Sequence, residues 1–185
     1  MKEIVTKRFR LFIPVIILLL MTSLVGCDFF FPKPKRVDFV GDHFSIEKPA
    51  TWKMMKNLNK DAALEMGNNI KGAFTVVISE TKAEAEEAGV YSVEEYSKAT
   101  VGFVMKGLQF YGKATPEQID TEHFPALKYK VSGLVDGYKT VYWHVTIETE
   151  GYYSQIILWS MEETYKENEA EFYNIVNSFD TNYEE

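Results

Sequence analysis

The sequence predicts an α+β fold: an antiparallel β-sheet flanked by helices, an α/β/α sandwich. Three observations predict it. Runs that alternate apolar and polar residues, or are dense in β-branched ones, recur between turn residues at 44–47, 73–80, 127–133, 139–149 and 152–160. Two other stretches place apolar side chains at helical spacing behind Ser92-Val93-Glu94-Glu95 and Thr164-Tyr165-Lys166-Glu167, both in the pattern of a helix-capping box. The 185 residues are 46% hydrophobic and 25% charged, a composition that supports a packed core.

The chain opens with Lys7-Arg8-Phe9-Arg10 and then residues 11–26, LFIPVIILLLMTSLVG, which carry no charge. A basic start followed by such a run reads as an export signal. It is too short to span a hydrocarbon core, which needs about 20 apolar residues. It ends in Leu24-Val25-Gly26-Cys27. That tetrapeptide resembles the lipobox of bacterial lipoproteins. The resemblance implies cleavage between Gly26 and Cys27 and lipidation of the Cys27 thiol, with the mature chain anchored by its acyl groups outside the cytoplasm. Two or three acyl chains, at about 0.8 kcal/mol per buried methylene, hold a protein on a bilayer without a spanning helix. The expected organisation is a signal peptide at 1–26, a lipidated tether at 27–36 and one domain at 37–185.

The tether reads Asp28-Phe29-Phe30-Phe31-Pro32-Lys33-Pro34-Lys35-Arg36. Alternate prolines favour an extended spacer. Its phenylalanines and cations suit either lipid head groups or packing on the domain. Asp28, directly after the cysteine, resembles the signal that retains enterobacterial lipoproteins in the inner membrane.

Within the domain, Phe44-Ser45-Ile46-Glu47 reads as a strand interrupted by Pro49 before Trp52, and residues 73–80 as a second. Residues 82–88 form a short helix closed by Gly89. Tyr91 and Tyr96 are placed for a hydrophobic staple on the next helix, whose expected buried stripe is Val93, Tyr96, Thr100, Phe103, Val104 and Leu108. Tyr165, Phe172, Val176 and Phe179 mark the buried face of the last helix, ending around Ser178. Asp136-Gly137 suggests a two-residue turn, but that register mixes apolar and polar residues across the hairpin. A three-residue loop, Val135-Asp136-Gly137 with a bulge, faces Tyr129 with Trp143 and Val131 with Val141, and is the expected register. Residues 152–160 are apolar on both faces, as a strand covered on both sides is.

Phe44-Ser45-Ile46-Glu47-Lys48-Pro49-Ala50-Thr51-Trp52, the Ser92-Val93-Glu94-Glu95-Tyr96 helix start, Tyr152-Tyr153 and the ending Phe172-Tyr173-Asn174-Ile175-Val176-Asn177-Ser178-Phe179 are together similar to the PsbP-like family. That family shares its fold with the Ran-binding factor Mog and DcrB-like proteins. The resemblance spans residues 37–181 and implies a sandwich without a common enzymatic activity.

Several chemistries lack their residues. One cysteine excludes a disulfide framework or zinc cluster, and 20 basic against 27 acidic side chains, with a pI near 5.1, argue against nucleic-acid binding. Residues 107–114 approach a phosphate loop, but Ala114 stands where a hydroxyl must hold magnesium; a helix end with glycine stops explains them better. His43, His123 and His144 show no metal-ligand spacing, and neither a metal nor another cofactor is expected. The bulged register places Lys128 opposite His144 and Lys130 opposite Tyr142, with Thr146 and Glu148 continuing that face. These six residues are the candidate ligand-binding surface. The expected function is a non-enzymatic accessory or binding module held at a membrane, with an envelope protein or small ligand as partner. The alternative is an anchored envelope hydrolase with a site assembled from dispersed residues.

Overall fold

The computed structural model describes residues 32–39, 43–111 and 114–181. The segment expected to be a signal peptide, with Gly26, Cys27 and residues 28–31, lies outside the described residues. Strands β1 (Lys35–Phe39) and β2 (Phe44–Lys48) pair as a small two-stranded sheet. β3 (Lys53–Met54), β4 (Leu64–Asn68) and β5 (Ala73–Thr81) lead into helices α1 (Lys82–Glu87) and α2 (Val93–Lys106). Then come β6 (Gln109–Tyr111), β7 (Pro116–Asp120), β8 (Pro125–Val135), β9 (Tyr138–Glu148), β10 (Tyr152–Met161) and α3 (Tyr165–Asn177). The main antiparallel sheet runs β3-β4-β5-β10-β9-β8-β6, with β7 sharing the outer edge of β8.

β10 lies at the centre, and Ser154 through Leu158 are all buried because both sheet faces are covered. On one face, Leu64, Met66, Val77, Trp143, Val145, Ile156 and Leu158 meet Phe172, Ile175 and Val176 of α3 and Phe44, Ile46 and Trp52 of the β2 region. The other face carries two smaller cores beneath α1 and α2, one around Tyr96 and Tyr153, one around Val101, Leu108 and Val131. The three-layer sandwich is as expected, and β1 begins at Lys35, inside the segment read as tether.

The hairpin register differs from the expectation. Val135 pairs with Tyr138, Lys130 with Trp143 and Tyr129 with His144, so the loop is the two-residue Asp136-Gly137 turn. Both residues are left-handed, at φ 50° and 85°, as a type I′ turn requires. The bulged register follows only if one face is apolar and the other polar. Here both faces are covered, so apolar residues alternate on neither side alone and that criterion loses its force.

The helix starts also differ in detail. Ser92 accepts from the Glu95 amide, but Glu95 reaches past it to the Tyr91 amide. Tyr91 is exposed, and Val90 packs beside Tyr96 in its place. On α2 the buried face is Tyr96, Ser97 and Val101, with Phe103 turned to solvent. Thr164 makes no side-chain cap, whereas Thr81 and Glu84 form a full capping box on α1. On α3, Tyr165, Phe172, Val176 and the following Phe179 are buried as expected.

Candidate functional site

The register decides where the six candidate residues go. Residues directly opposite in an antiparallel pair share a face, so Lys128 and Lys130 stand with Trp143 on the α3 side, while Tyr142, His144, Thr146 and Glu148 stand on the α2 side. The proposed single surface is therefore divided between two faces. Its two lysines set their ammonium groups over aromatic rings, and Lys130 meets the first residue of α3. Lys128 Nζ lies 4.5 Å from the Trp143 ring centre and 2.9 Å from a Glu117 carboxylate oxygen. Lys130 Nζ lies 4.0 Å above the Tyr165 ring. Such snorkelling lets a lysine border a core without burying its charge.

On the opposite face, three of the other four residues are built into the sheet–helix interface. Thr146 donates to Ser97 of α2 at 2.9 Å. Gln155 donates to the Tyr96 hydroxyl at 3.0 Å, which leaves its oxygen facing His144 Nε2 at 3.2 Å. His144 is wholly buried and its Nδ1 has no hydrogen-bond partner. Burial pushes its pKa down to about 4, so the ring is neutral at physiological pH. The Tyr96 hydroxyl is raised by burial, with the neighbouring Glu80 carboxylate adding to the shift. Tyr142 stacks on Trp159 at 5.8 Å, and its hydroxyl is likewise raised by burial. His144 and Thr146, wholly buried beneath α2, are closed to a ligand, whereas Tyr142 is half-buried.

Glu148 borders a surface hollow. A cleft of about 200 Å³ opens between the first turn of α2 and the β7–β8 corner, lined by Val93, Glu94, Gln118, Ala126, Leu127 and Glu148. Glu148 is ion-paired there with Lys82 at 2.7 Å. A wider, more open hollow of about 460 Å³ lies at the same end of the sheet, lined by His43, the β9–β10 turn Thr149-Glu150-Gly151, Tyr152 and Thr181. His43 and Tyr152 pack their rings 5.1 Å apart across it. Sequence reasoning missed these hollows because each joins loops more than 20 residues apart.

A third cluster lies beside the β1–β2 hairpin. Asp180, nearly buried, has Arg36 Nη1 at 3.9 Å and His123 Nε2 at 3.8 Å. Ser45, the hydroxyl in this cluster, is wholly buried and accepts from Arg36. It has neither solvent access nor a histidine base, so the cluster locks the C-terminal segment onto β2. Among the described residues, no group of three or more His, Cys, Asp or Glu side chains is arranged to hold a metal, and no helix is long and apolar enough to cross a membrane.

No family description matches the sequence, and no curated protein does. The folded chain is nevertheless similar to solved structures. Cyanobacterial PsbP (CyanoP) of Synechocystis superposes with a TM-score of 0.56 at 15% identity, over 85% of this chain and 95% of that one. LpqN of Mycobacterium tuberculosis, involved in cell envelope biogenesis, gives 0.53 at 10% identity over 80% and 83%. The Ran-binding protein Mog1p of Saccharomyces cerevisiae gives 0.53 at 10% identity over 81% and 96%. The chain also matches half the length of a Bacteroides thetaiotaomicron protein, at 0.59 and 9% identity. The fold is PsbP/Mog1-like, and at these identities the likeness speaks for fold alone.

Proposed function

We propose that this chain is an extracytoplasmic, lipid-tethered binding module without catalytic activity of its own, and that it engages a cationic protein segment at its acidic loop end. The observation that carries this is the distribution of polar groups. Buried ones such as Thr146, Gln155 and Tyr96 join α2 to the sheet, while the exposed carboxylates Glu94, Glu148 and Glu150 surround two open hollows at one end of the sheet. A lined but open, carboxylate-rimmed surface suits recognition of a positively charged partner more than enclosure of a reacting bond. The Leu24-Val25-Gly26-Cys27 motif supports the tether, and the envelope role of LpqN and the Ran-binding role of Mog1p accord with a partner-binding use of this scaffold. A tether raises the effective concentration toward membrane partners, so modest affinity suffices.

The test is photo-crosslinking in native membranes from a reactive residue placed at Tyr152, which lines the wider hollow, with Tyr173 on the exposed side of α3 as control. A discrete adduct at position 152 that disappears with Glu150→Lys is expected. Identical products from both positions, or an adduct indifferent to Glu150→Lys, contradict the reading.

A further inference from the structure

The end of the sheet opposite the hollows has a different character. Ala73, Ser160 and Val141 lie on one rung, by the pairings Ala73 with Ser160 and Ser160 with Val141. Beyond that rung stand the β4–β5 turn, the β8–β9 turn and the last residue of β10. α2 ends there too, since Gly107 caps it and Gln109 then pairs with Leu134. Of the seven large apolar side chains exposed among the described residues, four stand at this end, Ile70 at 98%, Phe103 at 68%, Tyr138 at 63% and Met161 at 46%, while Tyr91 stands at the other. Ile70 is not on a slack loop. The amides of Ile70 and Lys71 both donate to Asn68 Oδ1, and the buried Asn68 in turn donates to Thr51. The fold thus spends a locked turn on presenting an isoleucine to solvent.

The charge on the two ends differs in the same sense. Lys53, Lys71, Lys106, Lys139 and Lys166 accompany the apolar tips, balanced by Asp136, Glu162, Glu163, Glu167 and Glu171, with Lys71 paired to Glu171 at 2.6 Å and Lys139 to Glu162 at 3.6 Å. Around the hollows the acids dominate, with Glu80, Glu84, Glu94, Asp120, Glu148 and Glu150 against Lys82. In a chain of net charge −7, the acidic excess thus sits at the hollow end, and the charge-balanced end is the one an anionic surface repels less.

The chain's own path supplies the occupant. β2 runs from His43, beside Tyr152 at the hollow end, to Lys48, after which Lys53 pairs with Gly67 near the apolar end. β1 is antiparallel to β2, with Lys35 opposite Lys48, so the chain enters β1 heading toward the hollows. The first residue of β1, Lys35, therefore stands on the side of the apolar end. Seven residues, 28–34, separate Cys27 from β1, a reach of about 22 Å at about 3.1 Å per residue.

We infer that this end, with Ile70, Phe103, Tyr138 and Met161 at its tips and Lys53, Lys106 and Lys139 around them, docks on the anionic head-group surface of the bilayer that holds Cys27. The inference rests on the lipid tether of the preceding section and deepens it: docking fixes the domain's orientation and presents the hollows to the aqueous side. Apolar tips seated among head groups and flanking lysines facing anionic lipid act together, as in interfacial anchors.

The experiment uses the full chain, purified from membranes and reconstituted in vesicles of phosphatidylcholine alone or with phosphatidylglycerol. Cys27 is the sole cysteine, so with its sulfur acylated a reporter thiol is unique. Ile70→Cys and, at the opposite end, Glu150→Cys carry an environment-sensitive dye, and the mass of the N-terminal peptide is read on the same samples. Expected are an acylated peptide, and a blue-shifted dye at position 70 that nitroxide lipid quenches several-fold more strongly in phosphatidylglycerol vesicles, with position 150 unchanged. An acylated chain whose position-70 dye stays in water overturns the docking and leaves the tether standing. A bare Cys27 thiol overturns both. A shift indifferent to vesicle charge, or protection that follows protein concentration because a second copy covers the tip, overturns the docking as well.

Discussion

His144 Nε2 and the side-chain oxygen of Gln155 lie 3.2 Å apart beneath α2, and the other ring nitrogen of His144 is left without a partner. Protonation there places a charge in a site with no carboxylate to receive it directly; Glu80 lies beyond Gln155 and Tyr96. Because the folded-state pKa is depressed to about 4 from 6.5, the unfolded chain binds the proton more readily. Stability is therefore full above about pH 6.5 and falls as the pH drops toward 4, by about 3 kcal/mol from this group at about 1.4 kcal/mol per unit. His144→Gln removes that part of the slope. Urea unfolding between pH 7.5 and 4 measures it, and parallel slopes for the two proteins contradict the assignment.

Gly133 sits where the chain leaving α2 crosses the sheet. A Cβ there overlaps the Leu108 side chain and comes within 2.9 Å of the Gln109 carbonyl oxygen. Gly133→Ala is expected to destabilise the domain by about 1–3 kcal/mol, the usual range for overpacking. Adding Leu108→Ala recovers only part, because the backbone clash remains. Thermal unfolding of the single and double variants checks both statements.

The Asp136-Gly137 turn discriminates between the two registers. With Asp136 at φ 50°, a β-branched residue is strained there and asparagine is not. Asp136→Val is expected to lose about 1–2 kcal/mol and Asp136→Asn to stay within about 0.5 kcal/mol, by the left-handed penalty for L-residues. Equal stability of the two variants contradicts the two-residue turn.

The anchor has its own test. Cells supplied with radioactive fatty acid are expected to label the wild-type chain and to leave Cys27→Ala unlabelled, with the variant retained at its longer, uncleaved length. Equal labelling of both chains contradicts lipidation at Cys27.

Features encoded in neighbouring residues were legible without the structure. The β5, β8, β9 and β10 segments and the buried stripe of α3 all appear where apolar period and turn residues put them. The Thr81-x-x-Glu84 box was equally local and was passed over. β4, β6 and β7 were not read, because their strand character comes from pairing with a neighbour more than from their own side chains; β7 is exposed at four of its five positions.

The candidate surface failed for a different reason. A register shift of one residue moves every side chain to the other face; the Asp136-Gly137 pair signals the observed register locally, but the apolar pattern, blurred because both faces are covered, points to the other. The chain Tyr96–Gln155–His144 spans a helix and two strands, and no spacing announces it.

The order of elements, the antiparallel hairpins and the lipobox-like motif follow from the amino-acid sequence alone, since each depends on residues a few positions apart. Which side of the sheet receives Lys128 or His144, which loops meet around the hollows, and which tips stay bare were decided only when α2 and α3 closed over opposite faces. Burial and charge pairing are properties of surfaces brought together from distant parts of the chain.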